Sequence, residues 1–242
     1  MLPTAEAMQT VYNDPNTGIF SVAAPSALTE KKKLLIECGT VSQSTIWEVS
    51  KTARAKGISF VDAPVSGGPM GSEACTLSFM VGCEERLFPE IKALLLHMGR
   101  ESGILRCGEV GTGSAFKIIN NYISILSVLT VSEALNIGAK MNLDMKLLVD
   151  VINSGSGRCW VTDTNNPVPG IHPNAPASQG YAGGFRVELA EKVLSLGKEL
   201  AAMVGARTNL DKTALASLAE AASDPRYAGK DARVVYKWLN EQ

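Results

Sequence analysis

Residues 114–141 contain no proline, and their single glycine, Gly138, comes close to the end. Phe116, Ile119, Ile123, Leu126 and Leu129 recur there at helical spacing, with Ala134 and Ile137 beyond. The pattern predicts one helix roughly 40 Å long at ~1.5 Å per residue, beyond the usual globular length. Such a helix divides the chain, because the patterns on its two sides differ.

Before it, short apolar runs alternate with helical ones. "KKLLIECGT" predicts a buried strand around Leu34–Glu37, and "ISFVDAPV" and "TLSFMVG" predict two more. Between them, "SQSTIWEVSKTARAKG" opens on Ser/Thr and stops at Gly57, while "EERLFPEIKALLLHMG" predicts a helix whose regular part starts near Pro89. A short "GILRCG" follows. Strands alternating with helices imply crossover units and a mainly parallel sheet. After the long helix come "LDMKLLVDVINSG", "FRVELAEKVLSLGKELAAMVG", "NLDKTALASLAEAAS" and "DARVVYKWLNEQ", all helical in pattern. The first two are separated by "NNPVPGIHPNAPASQGYAGG", a long ordered excursion or a lid. The expectation is α/β over residues 1–110 and all-helical over 111–242.

Composition narrows the partners. The 242 residues carry a formal net charge of −1 with no basic block, which argues against nucleic acid or an acidic membrane surface. No run approaches ~18 uninterrupted apolar residues, so no membrane span is expected. Five scattered cysteines without a CxxC pair suit reduced thiols. With only His97 and His172 and no HExxH, no metal site is expected.

Two stretches carry possible chemistry. In "VDAPVSGGPMG" a strand runs into Ser66, Gly67 and Gly68, at the sheet end where open α/β folds bind ligands. Adjacent glycines free backbone N–H groups for an anion such as a carboxylate, though an ordinary turn has the same composition. Asp62 there is a turn cap or an acid. In "GTGSAFKIINN", Lys117 sits among Phe116, Ile118 and Ile119, with Asn121 one helical turn on. Either its stem covers apolar surface while its head reaches water, or its desolvated amine works as an acid–base group. "GEVGTGSAFK" matches neither GxGxxG nor GxxxxGK[ST]; its glycines read as a hinge between the long helix and the sheet. Trp160 reads as a core residue.

Together "MLPT", "DAPVSGG", "GTGSAFKIINN", "SGRCW" with "NPVPG", and "YAGGF" with "LAEK" resemble the β-hydroxyacid dehydrogenase family, in its order and over nearly the whole chain. "SGRCW…NPVPG" points to the branch acting on 3-hydroxyisobutyrate. The resemblance implies NAD-dependent oxidation of that hydroxyacid to methylmalonate semialdehyde, as in valine breakdown, with NADP an alternative cofactor and no metal. It implies a Rossmann-like, doubly wound parallel sheet lacking its first strands, then an interdomain helix leading into an all-helical substrate and dimerisation domain. Lys117 would be catalytic; Ser66, Gly67, Gly68 and Asn121 would hold the substrate; Leu2, Pro3, Thr40 and Lys192 would touch the cofactor. A homo-oligomer in mitochondria is the family habit.

Two departures stand out. Val193 follows Lys192 where the family usually has aspartate. The family's dinucleotide fingerprint is absent, so "MLP" would close the fourth strand of a truncated sheet, and this polypeptide would hold dinucleotide weakly. A non-catalytic or regulatory descendant, and a tartronate semialdehyde or glyoxylate reductase, are the alternatives.

Overall fold

Phe60 and Val61 are neighbours on one strand yet belong to opposite apolar cores, as a sheet covered on both faces requires. The computed structural model describes residues 2, 4–22 and 33–242. It separates into two units, Met1–Ile119 and Asn120–Gln242.

In the first unit the strands are β1 (Leu34–Glu37), β2 (Ser59–Asp62), β3 (Val65–Ser66), β4 (Leu77–Gly82) and β5 (Gly99–Gly108). β1 and β2 run parallel, as do β4 and β5. β2 and β3 both meet β4 antiparallel, so the sheet is mixed. The reason is length. The segment from Gly67 to Thr76, holding only a one-turn-and-a-half helix, is shorter than the dozen or more residues that a parallel crossover needs.

Helices α1 (Ala5–Asn13), α2 (Ile19–Val22) and α3 (Gln43–Ala55) cover one sheet face through Met8, Tyr12, Phe20, Ile46 and Val49. The short helix α4 (Gly68–Glu73) precedes β4, and α5 (Phe88–Leu95) covers the other face through Ile91 and Leu95. α1 has no counterpart in the sequence reading. Its signal is Thr4, whose hydroxyl accepts from the Ala7 N–H at 3.1 Å, followed by Met8 and Tyr12 four apart on the buried face. The predicted "GILRCG" strand is longer, beginning at Gly99.

The long helix, α6, runs Thr112–Lys140 and crosses the division between the units. By length and composition it could span a bilayer, although no run within it approaches ~18 uninterrupted apolar residues. Part of that apolar surface has protein partners: Ile125 and Leu129 join one core of the second unit, and Val128, Val131 and Leu135 another. That unit continues with α7 (Met145–Ser154), α8 (Trp160–Asp163), α9 (Val187–Val204), α10 (Asp211–Ser223) and α11 (Val235–Asn240). The Pro/Gly-rich segment before α9 is an ordered excursion. The Tyr181 hydroxyl donates to the Pro167 carbonyl at 2.9 Å, and the Ser178 hydroxyl to that of His172 at 2.7 Å.

Candidate functional site

The first unit places two sequence-predicted stretches along β4. Ser66 pairs with Ser78, and the Met80 N–H donates to the Pro64 carbonyl at 3.1 Å, so the β2–β3 turn is held against this strand. Gly67 and Gly68 have φ of 139° and 63°, values that favour glycine. Beyond Gly68 the space a Cβ would take is empty for 4 Å. The turn is therefore bare on one side, consistent with close approach of a small anion.

Two residues along, Met80 meets the start of α6. A Cβ on Gly113 would lie 2.2 Å from the Met80 carbonyl oxygen and 2.9 Å from Asp62 Oδ2, so the helix seats directly on the strand backbone. The glycines are thus contact points rather than a loose hinge. Gly111 precedes the first helical residue, its carbonyl accepting from the Ala115 N–H at 3.2 Å, and it has no side chain with which to cap. Asp62 supplies the cap instead, from the end of β2. Its Oδ1 accepts from the Gly111 N–H and its Oδ2 from the Ser114 N–H, each at 2.7 Å. Of the two roles open to Asp62, the structure shows the cap.

α3 adds a clamp that the sequence reading missed. Gln43 Nε2 donates to the Gly111 carbonyl at 3.1 Å, and Trp47 Nε1 to that of Val110 at 3.1 Å. A signal was present: the two residues are four apart on one helical face, each with a side-chain donor.

Lys117 follows one and a half turns into α6. It is 7% exposed, so it is not a lysine that reaches out to water. None of the ion pairs among the described residues includes it. Burial disfavours the ammonium and lowers its pKa from the ordinary 10.5 to about 8. An amine so placed exchanges a proton readily near neutral pH. One turn on, in the second unit, Asn121 takes a hydrogen bond from the Asn120 amide at 3.2 Å, which orients its side chain.

The expected cofactor residues fall in both units. At the carboxyl end of β1 the Gly39 N–H donates to Glu37 Oε1 at 2.6 Å, and a Cβ on Gly39 would stand 2.8 Å from the Leu2 carbonyl oxygen. The Leu2 backbone therefore lies against the Gly39–Thr40 turn, at the sheet end where such folds take nucleotides, while its side chain packs against the apolar core of Met8 and Tyr12. Pro3 lies outside the described residues. Lys192 is on α9 in the second unit, half-buried, with contacts of its own. Val193 beside it is buried in the helical core with Leu194 and Ile125, which accounts for an apolar residue where the family usually has aspartate.

Other residues resolve simply. Trp160 is not a core residue: it is half-exposed, and the Arg233 guanidinium lies 5.4 Å over its ring, held there by the Asn165 carbonyl and Asp231. His172 is structural, its Nδ1 accepting from the Asn166 N–H at 3.2 Å, and His97 is exposed. The five cysteines are free. Among the described residues no cluster of metal-ligating side chains forms.

Comparison with known proteins agrees with this layout. Residues 1–111 match the NAD binding domain of 6-phosphogluconate dehydrogenase, and residues 111–239 the NAD-binding family of NADP-dependent 3-hydroxyisobutyrate dehydrogenase. The probable mitochondrial 3-hydroxyisobutyrate dehydrogenase of Dictyostelium discoideum is 39% identical over 100% of this chain and 72% of its own length. The 3-hydroxyisobutyrate dehydrogenase of Pseudomonas aeruginosa is 38% identical over 98% of this chain and 77% of its own. Among solved structures, the Mycobacterium tuberculosis 3-hydroxyisobutyrate dehydrogenase with L-serine superposes with a TM-score of 0.86 at 34% identity, covering 99% of this chain and 77% of that one.

Proposed function

The chain belongs to the β-hydroxyacid dehydrogenase family of NAD(P)-linked oxidoreductases, and from that premise we propose that it oxidises 3-hydroxyisobutyrate to methylmalonate semialdehyde. The observation that carries the reading is Lys117: a buried amine with no ion-pair partner among the described residues, its pKa lowered to about 8, on a helix seated on β4, against which the Ser66–Gly68 turn is also held. A bound nicotinamide would supply the hydride acceptor.

The chain's own groups supply the rest. Ser66 and the backbone at Gly67 and Gly68 hold the substrate carboxylate, which fixes the distance from that end of the hydroxyacid to its reacting carbon. The Asn121 amide steadies the hydroxyl oxygen. Neutral Lys117 Nζ takes the hydroxyl proton as the carbon gives up hydride, and the resulting ammonium stabilises charge still developing on the oxygen. Leu2, Pro3 and Thr40 act on the nicotinamide side, and Lys192 is a further cofactor contact. A neutral amine accepts and an ammonium donates, so the same group serves oxidation and the reverse reduction. Residues 1–110 act as the dinucleotide side and 111–242 as the substrate and subunit-association side. The setting proposed is valine breakdown in mitochondria, as a homo-oligomer.

The test follows absorbance at 340 nm with purified protein, NAD or NADP, and 3-hydroxyisobutyrate or glycerate-type hydroxyacids. Turnover on 3-hydroxyisobutyrate that falls about 100- to 10,000-fold in Lys117→Ala supports the proposal. Faster turnover on the glycerate type moves the protein to the tartronate semialdehyde or glyoxylate reductase branch. A chain that binds hydroxyacid and dinucleotide but turns over none of these substrates would be the non-catalytic descendant.

A further inference from the structure

We propose that Asp62, at the end of β2, is a positioning residue: its buried carboxylate caps α6 from outside and thereby fixes where Lys117 points and keeps its amine out of water. This goes beyond the dehydrogenase reading and rests on it only for what Lys117 does.

Three observations carry it. Asp62 has no exposed surface, and its two oxygens divide between two N–H groups of the same helical start, Gly111 and Ser114. Accepting on both oxygens is what an ionised carboxylate does, whereas a protonated one must also find an acceptor for its own hydrogen. The surrounding glycines leave room for nothing else. A Cβ on Gly82 would stand 2.2 Å from Asp62 Oδ1, and one on Gly113 2.9 Å from Oδ2. The N-cap position of α6 is itself a glycine, so the helix depends on this distant acid for a bond usually made by a local Ser, Thr, Asp or Asn.

The consequence for Lys117 is geometric. At ~1.5 Å per residue, five residues separate the first helical position from Lys117 by about 7.5 Å along the axis. Desolvation is what lowers the Lys117 pKa, so a first turn held in place by the cap keeps the amine dry. The titratable groups around this start include Glu109, whose carboxylate lies 2.8 Å from the partly buried Arg106, and the thiols of Cys83 and Cys107, which feel the Asp62 carboxylate.

The test reads the Lys117 ammonium directly, by pH titration of 13C-labelled lysine side chains in the full chain, wild type against Asp62→Asn. The amide keeps the size of the acid, removes its charge and sets an NH2 against one N–H. Losing the cap should loosen the first turn, let water reach the amine and move the Lys117 midpoint up from about 8 towards 10.5. As a control, Glu37→Gln alters another buried acid of the same unit, bound to Gly39 and Tyr12 rather than to α6, and should leave that midpoint in place. A purely structural Asp62 would lower stability with no movement of the Lys117 midpoint, and that result overturns the proposal.

Asp62→Ser, with one acceptor and room for a water, stands in if the asparagine variant does not fold. Wild-type amide exchange gives a reading that needs no variant. The Gly111 and Ser114 protons should be protected, and exchange at the rate of exposed amides would overturn the cap. If the midpoint moves while the protein turns over no hydroxyacid, positioning stands and the substrate reading falls.

Discussion

Replacing Lys117 with methionine should make the protein more stable at pH 7, while removing the group on which turnover depends. The lysine is 7% exposed, and folding lowers its pKa from 10.5 to about 8. The unfolded chain therefore holds that proton up to about 10.5, while the folded one releases it near 8. Between those values rising pH favours folding; below about 8 the cost of burying the ammonium is present in full. The difference between 10.5 and about 8, at about 1.4 kcal/mol per pH unit, sets that cost at about 3 kcal/mol. Methionine keeps an unbranched stem and places a methyl group near the position of the charge, so it escapes the cost with little change of packing. Urea denaturation should show Lys117→Met gaining up to about 3 kcal/mol at pH 7, roughly 1 M in midpoint for a chain of this size. The gain should shrink towards nothing as pH rises from 8 to 10.5. A variant no more stable than wild type, or a gain that ignores pH, would refute the claim that this amine is buried with no ion-pair partner among the described residues.

Three further outcomes follow from the same geometry. The kcat/KM for hydroxyacid oxidation should rise with pH about a midpoint near 8, since only the neutral amine accepts a proton, and the reverse reduction should fall over the same range; rate profiles in both directions check it. Gly113→Ala should cost about 2–4 kcal/mol in urea denaturation, because its Cβ would stand 2.2 Å from the Met80 carbonyl oxygen, on strand backbone that cannot swing aside. Asp231→Ala should cost about 3–5 kcal/mol, because it strands the buried Arg233 guanidinium, paired at 2.6 Å, and the Phe185 N–H; the same denaturation series measures it.

Much of this was legible in the sequence because it is local. The Ser42 cap and the Gly57 stop bracket α3, and an unbroken apolar period marks α6. The family motifs were contiguous as well, which is why Lys117 and the Ser66–Gly68 turn could be named together. What escaped depends on contacts between distant residues. The sheet keeps the expected parallel pairs, β1 with β2 and β4 with β5, but no period-2 pattern encodes which neighbour a strand chooses, so the antiparallel pairing of β3 with β4 was not legible. The cap of α6 comes from Asp62, 49 residues before the Gly111 it binds, where local rules look only at the adjacent residue. Residue type alone makes Trp160 a core residue, but Arg233, far along the chain, sets a buried guanidinium over the ring of an exposed Trp160.

The most direct measurement is the pH titration of the Lys117 side chain, by 13C-lysine spectra, with and without saturating 3-hydroxyisobutyrate. The account predicts a midpoint near 8 in the free protein, moved upward when the anionic hydroxyacid binds beside the amine. A free midpoint above 10, or one that stays fixed as the hydroxyacid saturates its site, would contradict it.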